Sequence, residues 1–503
     1  MNTKAGKIVI KEEWKTAMLA TWIGGLLAHA YRFFNFLPLW DSMLNFSGTG
    51  ATYTSGRWFL DIVGKISSDY DMPWVNGALS LFYLGLIVIM LTELFELKSK
   101  KAIWLTAVLI VTFPTVTSSF AYMFTADGYM LAFLLAVLGI YLTEKYRYGF
   151  LCGMICICLS MSTYQAYLSV SLMLVVVICV KRILIEENMV WQVIVKEYKQ
   201  AIALLAGAVL NNILTKLVNR CLGVVLDSYQ GINDVHMLTL EDSIGAVAKV
   251  QLWFRMFFQI GEQRADNCYS ILNQSIFLLL IILTICFIIK RKIYRRPLSV
   301  LCIIFAYWCI PILAYVIRFV SMEVSYHTLM VMSLCMIYVT LVIFIEHMKD
   351  KGRTSQVLKL ISVIVLCGIS YYNILNANYS YYNMNLSYEK SYAISADVLE
   401  RIEELEDFDS SMKIAVIGTY KAETEEIAEE IPEIAGVSSD SFLRGQEHYL
   451  AMWEYCMGRT YTGASLEEVD KIKETETYLE MNTYPYAGSV CVIDDIVVVK
   501  LSE

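Results

Sequence analysis

The chain has 503 residues; 57% are hydrophobic, 17% are charged, and its mean hydropathy is +0.53. Ordinary soluble domains carry roughly 25% charged residues, so the composition excludes a typical cytosolic enzyme and points to a chain threaded through a bilayer. The net charge of −8 hides an asymmetry: from Asn378 onward 26 acids face 9 bases, a net −17, which leaves +9 for the preceding part, and neither half has the balance of a nucleic-acid binder.

Runs of about 18 or more largely apolar residues mark membrane helices, because ~20 residues at 1.5 Å rise cross a ~30 Å hydrocarbon core. About eleven such spans are predicted, near residues 16–35, 75–95, 102–119, 129–143, 149–162, 165–181, 200–219, 271–290, 298–318, 328–346 and 357–375. The expected fold is therefore an α-helical polytopic membrane protein. Lysines precede the first span, and Ala28-His29-Ala30 resembles a signal-cleavage site. Trp14 and Trp22 interrupt its apolar core, however, and the span reads as retained.

Basic residues stay on the cytoplasmic side. With the N-terminus inside, the inner segments hold 21 of them, in groups beginning at Lys4, Lys98, Lys145, Lys181, Lys290 and Lys349. Eleven spans then put the C-terminus outside. The domain reading is a transmembrane domain over 1–376, with outward loops at 36–74, 119–129 and 220–270, and an extracytoplasmic acidic α/β domain over 377–503.

Within the membrane domain, Glu186–Gln200 is amphipathic and is expected to lie in the inner interface, and Ile244–Ile260, with Lys249 and Arg255, on the outer surface. Nine of the thirteen cysteines lie in spans, where Cys acts as a small buried hydrophobe. Cys221 and Cys268 can bridge one loop, although nothing in their spacing demands it. In the tail, Val398–Leu405, Thr424–Glu430, Leu443–Cys456 and Leu466–Leu479 read as helices, and Lys413–Gly418 as a buried strand. Val490–Ile493 and Ile496–Leu501 read as a hairpin turning at Asp494-Asp495. No G-x-G-x-x-G is present.

The first outward loop, Leu37 to Trp74, is about 38 residues long, whereas loops within bundles are usually short. It carries Asp41, Arg57, Trp58, Asp61, Asp69 and Asp71. Sugar transfer at a membrane surface needs a carboxylate to take the hydroxyl proton, cations to stabilise a departing phosphate, and aromatic or polar groups to hold the ring. Asp41 beside Trp40 suits the first role, and Gly56-Arg57-Trp58 suits the second, since Gly permits close backbone approach and Arg forks onto phosphate oxygens. The next outward loop adds Tyr122, Asp127 and Tyr129. Two acids from separate loops, converging on one cleft, would make a base and an orienting partner.

Each residue has a plainer reading. Asp41 is equally a solvated acid at a span end, and Asp127 an N-cap for a helix starting near Gly128. Arg57 suits a lipid headgroup and Trp58 an interface anchor. Asp61, Asp69 and Asp71 read as solvated loop acids. Tyr164-Gln165 lines a cleft or caps a helix. Lys216 and Arg318 read as snorkelling cations, and the isolated His327 as structural.

The order of these elements carries a resemblance. Gly56-Arg57-Trp58 is followed by Phe113-Pro114-Thr115 with Tyr122, Phe124, Asp127 and Tyr129, then by Leu159-Ser160 with Tyr164, Gln165 and Tyr167. With the ending from Tyr484 to Leu501, this resembles the type II O-antigen glucosyltransferase (Gtr) family. The resemblance implies a GT-C-like glycosyltransferase of the bacterial inner membrane. It would move a hexose, glucose by expectation, from a polyprenyl-phosphate donor to a cell-surface glycan, with inversion. It maps the main catalytic acid onto Asp41 and the second onto Asp127. Arg57, Trp58, Tyr122, Tyr129, Tyr164, Gln165 and Arg255 are the candidate substrate-binding residues. A divalent metal is possible, but Asp41-Ser42 stands where many relatives have paired acids, so no metal ligand is assigned. The competing class is a flippase of lipid-linked sugars, which predicts ionisable groups deep in the spans or broken helices in matching halves. A third is a non-catalytic surface protein whose tail binds partners.

Overall fold

The computed structural model describes residues 10–50, 52–227, 239–350, 352–421 and 433–502. It is 72% helical, with a small sheet near the C-terminus. Among the described residues, seven helices are long and apolar enough to cross a membrane: Pro73–Leu94, Met123–Lys145, Gln165–Leu184, Val190–Leu222, Cys268–Lys290, Pro297–Ala314 and Arg353–Glu403. An eighth is reached if Lys100–Val111 and Pro114–Ala121, bent by 41°, count as one span. The bend falls at Phe113-Pro114, where proline disfavours helix in the residue before it.

The remaining expected spans fall on weaker helices. Glu12–Phe34 has its apolar run diluted by Gly, Ala, His29 and Arg32. Gly149–Thr163 and Met332–His347 are shorter apolar helices, and 15 residues reach only about 22 Å.

The chain divides into two compact units. The first runs to Phe34 and from Gly48 to Asn378, and includes residues 433–435. The second combines Asn35–Ser47 with the chain from Tyr379 onward, save residues 433–435. The division falls inside the helix Arg353–Glu403, so Val398–Leu405 is not a separate helix but mostly its last turns.

In the first unit, polar side chains tie helices together through backbone carbonyls, as expected where lipid supplies no hydrophobic drive between helices. Ser160 Oγ donates to Ala132 O at 2.7 Å, and Gln200 Nε2 to Ile140 O at 3.2 Å. The stretch expected to lie in the inner interface instead opens the helix Val190–Leu222. Val193, Glu197, Gln200 and Leu204 recur at helical spacing and are buried, and Glu197 meets Arg182 Nε at 2.5 Å. Leu240–Phe258 is amphipathic, burying Ala246, Val250, Phe254 and Phe258 at every fourth position. All thirteen cysteines, including Cys221 and Cys268, are free.

In the second unit, β1 (Lys413–Ile417), β2 (Thr462–Gly463), β3 (Val490–Ile493) and β4 (Ile496–Lys500) form one sheet in the order β2-β1-β4-β3. β1 and β4 are parallel, with Lys413 opposite Ile496, and β3 and β4 form the expected hairpin. Asp494 and Asp495 both have positive φ, 49° and 61°, which matches the tight turn a twisted hairpin needs. Strand alternation splits the core. Ile414, Val416, Val497 and Val499 pack on one face with Val398, Ile402, Met452 and Trp453. Ala415, Ile417, Ile496 and Val498 pack on the other with Ile472 and Tyr478. The expected helix Leu466–Leu479 is two, Leu466–Lys473 and Glu476–Glu480, because Thr475 caps the second through its hydroxyl. The expected helix Thr424–Glu430 lies outside the described residues.

Asn35–Ser47 belongs to this same core. Met43 is fully buried within it, Trp40 packs against it, and Phe46 stacks on Tyr455 at 4.3 Å.

Candidate functional site

Candidate residues occupy both units, and each group is built within its own unit. In the first unit, residues 52–57 form a turn in which Arg57 N donates to Thr52 O at 2.7 Å. Gly56 has φ +70°, a left-handed conformation that costs any residue with a Cβ. Gln165 Nε2 donates to Ser55 O at 3.1 Å and Asn219 Nδ2 to Tyr53 O at 3.2 Å, so distant helices hold the turn.

The turn ends at Arg57, which precedes the helix Trp58–Gly64. Arg57 Nη1 donates to Tyr129 Oη at 3.2 Å, and the guanidinium lies 4.8 Å from the Tyr164 ring centre. Tyr129 and Tyr164 stack at 4.5 Å, and Tyr164 meets Tyr167 edge-on at 5.7 Å. Tyr164 follows Thr163 in an extended conformation, where the helix Gly149–Thr163 breaks, and it is buried. Arg57, Tyr129 and Tyr164 therefore meet, as a cation over an aromatic pair, while Gln165 holds the turn before them. Such a cation is pre-organised for phosphate or carboxylate oxygens. Trp58 packs edge-on against Phe59 at 5.6 Å. Tyr122 sits at the junction of Pro114–Ala121 and Met123–Lys145, its carbonyl accepting from Thr125 Oγ1 at 3.1 Å.

Asp127 does not cap a helix starting near Gly128. The helix begins at Met123, and Asp127 lies in its second turn, 2% exposed. Its Oδ1 accepts from Asn76 Nδ2 at 3.0 Å. Beside it, Gly128 lets Leu60 approach so closely that a Cβ there would sit 2.6 Å from Leu60 Cδ1. This contact seats the short helix that follows Arg57. Arg255 lies on Leu240–Phe258 and faces Glu262 at 3.8 Å, a surface ion pair.

Three residues were misjudged from sequence. Asp71 is no solvated loop acid: its side chain is 2% exposed and lies 3.7 Å from the Nη2 of Arg32, itself fully buried. Arg32 Nε also donates to Phe120 O at 2.9 Å. The signal was available, since an arginine inside a predicted span requires a partner. Arg318 is buried rather than snorkelling, with its guanidinium 5.8 Å from the Trp253 ring centre. His327 borders a cavity of about 240 Å³ with Trp253, Phe257, Tyr315 and Tyr326. Burial, with a smaller effect from Arg57, pushes its pKa down to about 4 and keeps it neutral. Asp61 is not a loop acid either: it lies in the helix Trp58–Gly64, accepts from Tyr53 Oη at 2.9 Å and pairs with Lys65 at 3.1 Å.

In the second unit, Asp41 sits in the short helix Trp40–Leu44, and its carbonyl accepts from Asn45 Nδ2 at 2.8 Å. Burial raises its carboxyl pKa above the ordinary value, and the Arg444 guanidinium opposes the rise. Arg444 lies over Trp40, 3.5 Å from the ring centre. Asp41 thus has neighbours that its sequence surroundings do not reveal, because Arg444 is about 400 residues away in the chain. Among the described residues, no group of three or more His, Cys, Asp or Glu side chains is arranged to hold a metal ion.

Long apolar helices joined to loops that present a guanidinium over aromatic rings and partly buried carboxylates define a class: a polytopic membrane protein whose loops carry charged groups suited to chemistry. The family model for glucosyl transferase GtrII matches residues 30–345, well over half of the chain, and the protein belongs to that family. It is a glucosyltransferase. The match includes Asp41, Arg57, Asp127, Tyr129, Tyr164 and Arg255, and ends before the helix Arg353–Glu403 and the C-terminal sheet. Comparison with curated proteins and with solved structures finds no match.

Proposed function

We propose that the enzyme transfers glucose, with inversion, from a polyprenyl-phosphate donor to a cell-surface glycan on the outer face of the bacterial inner membrane. The glucosyl transferase match over residues 30–345 carries this reading. The acceptor hydroxyl oxygen attacks the anomeric carbon as the bond from that carbon to the phosphate oxygen breaks. The hydroxyl proton passes to the Asp41 carboxylate, and polyprenyl phosphate leaves with the bonding electron pair.

Asp41 is assigned as the base. Its raised pKa supports this, because a general base works best with a pKa near the operating pH. Arg57 is assigned to the departing phosphate, supported by its position over Tyr164 and its bond to Tyr129. Asp127 is assigned an orienting role, supported by its burial and its bond from Asn76. In this reading eleven spans put the N-terminus inside and the acidic C-terminal unit outside, in keeping with the basic inner loops.

The test is purified protein incubated with labelled polyprenyl-phosphate glucose and candidate acceptor glycans. Asp41→Asn abolishes the mass gain on the acceptor while expression and melting temperature stay unchanged. Retained transfer in that variant removes Asp41 from the base role, and lipid movement without acceptor modification favours a flippase.

A further inference from the structure

The second unit contains a cavity of about 420 Å³ within its own fold. Trp40, Tyr420, Lys421, Asp440, Ser441 and Arg444 are among its lining residues. The volume lies in the range of small-ligand pockets. An aromatic ring, hydroxyls and a carboxylate are the groups that hold a sugar, since ring faces take its C–H surface and polar atoms take its hydroxyls.

The cations are the informative part. The unit is strongly acidic, and most of its basic residues are engaged. Arg401 meets Asp397 at 3.1 Å, Lys413 meets Glu468 at 2.6 Å, and Arg459 meets Glu403 at 3.3 Å. Lys390 donates to Ser439 O at 2.8 Å, and Lys500 to Tyr478 O at 3.1 Å. Arg444 and Lys421 line the cavity, and among the described residues neither has a carboxylate within 4 Å, although Arg444 acts electrostatically on Asp41 from farther off. Arg444 instead lies over Trp40, 3.5 Å from the ring centre, a contact that restricts the side chain and lowers the entropy lost on engaging an anion. Asp440 is occupied differently: its Oδ1 accepts from Ser441 N at 2.7 Å.

We propose that this cavity binds a glycan residue bearing an anionic substituent, held by Arg444 and Lys421, and presents a hydroxyl of that glycan to the neighbouring Asp41. The second half rests on Asp41 being the base; the first does not.

The full-length protein in detergent is titrated with methyl glucuronide, glucose 6-phosphate and methyl glucoside, followed by ligand-observed NMR. The two anionic probes distinguish a carboxylate-bearing from a phosphate-bearing residue, and tighter binding of either, at least tenfold over methyl glucoside, supports the site. Arg444→Gln with Lys421→Gln abolishes that preference; both residues are exposed, so the melting temperature stays unchanged. Asp41→Asn keeps the binding preference and loses transfer. Equal binding of all three probes, or a preference that survives in the double variant, overturns the site. Transfer that survives in Asp41→Asn, with binding intact, overturns only the delivery to Asp41.

Discussion

Asp41, Asp71 and Asp127 have the same side chain and three different environments. Asp71 neutralises a buried arginine, Asp127 accepts from an asparagine inside a helix, and Asp41 is partly buried near a guanidinium. For Asp41 the sign of the pH effect follows directly. A base must be ionised, and burial raises its pKa, so transfer falls as pH drops through a value above the ordinary ~3.9 of aspartate. Arg444 favours the charged form, so Arg444→Gln moves the acid limb of the rate–pH profile to higher pH; an unmoved limb argues against their coupling. For Asp71 the expected effect is on stability. Arg32→Met leaves a buried carboxylate uncompensated and costs about 3–5 kcal/mol, whereas adding Asp71→Leu recovers most of the loss, because paired removal takes away both desolvation penalties. Thermal denaturation of the single and double variants in detergent measures this.

At the level of elements, Arg57 is positioned by things that are not near it in sequence. The turn before it is held by Gln165 and Asn219, and the helix after it leans on Gly128. Gly128→Val should therefore push the helix Trp58–Gly64 outward and displace Arg57, lowering transfer by about 10²-fold, the usual cost of roughly 1 Å misplacement. A control at Gly245, where a Cβ meets nothing within 4 Å, should leave activity near the parent level. Helix and strand positions were largely legible from periodicity. The amphipathic stretch after Glu186 was not, because Val193, Glu197 and Gln200 turn inward to protein while Trp191, Ile194 and Val195 stay exposed, a choice that partners such as Arg182 and Ile140 make.

For the whole molecule, charge distribution makes the strongest prediction. The Lys/Arg bias between alternate loops predicts that the C-terminal unit lies outside. Alkaline phosphatase fused after the last residue should be active in cells, while a fusion at Lys349 should be inactive; the reverse pattern overturns the topology.

The chain's composition and periodicity alone determined that it is helical, apolar in long runs and carries a small sheet near residue 500, since these are local properties read over a few turns. The GRW, Asp-Gly-Tyr and Tyr-Gln motifs also point to Arg57, Tyr129 and Tyr164. Only the tertiary structure decided that Asp71 and Arg32 pair, that Asn76 serves Asp127, and that residues 35–47 fold with the C-terminal sheet and bring Arg444 over Trp40. The reason is physical: whether a polar side chain is solvated or buried depends on partners tens to hundreds of residues away, and no local pattern encodes which of them arrive.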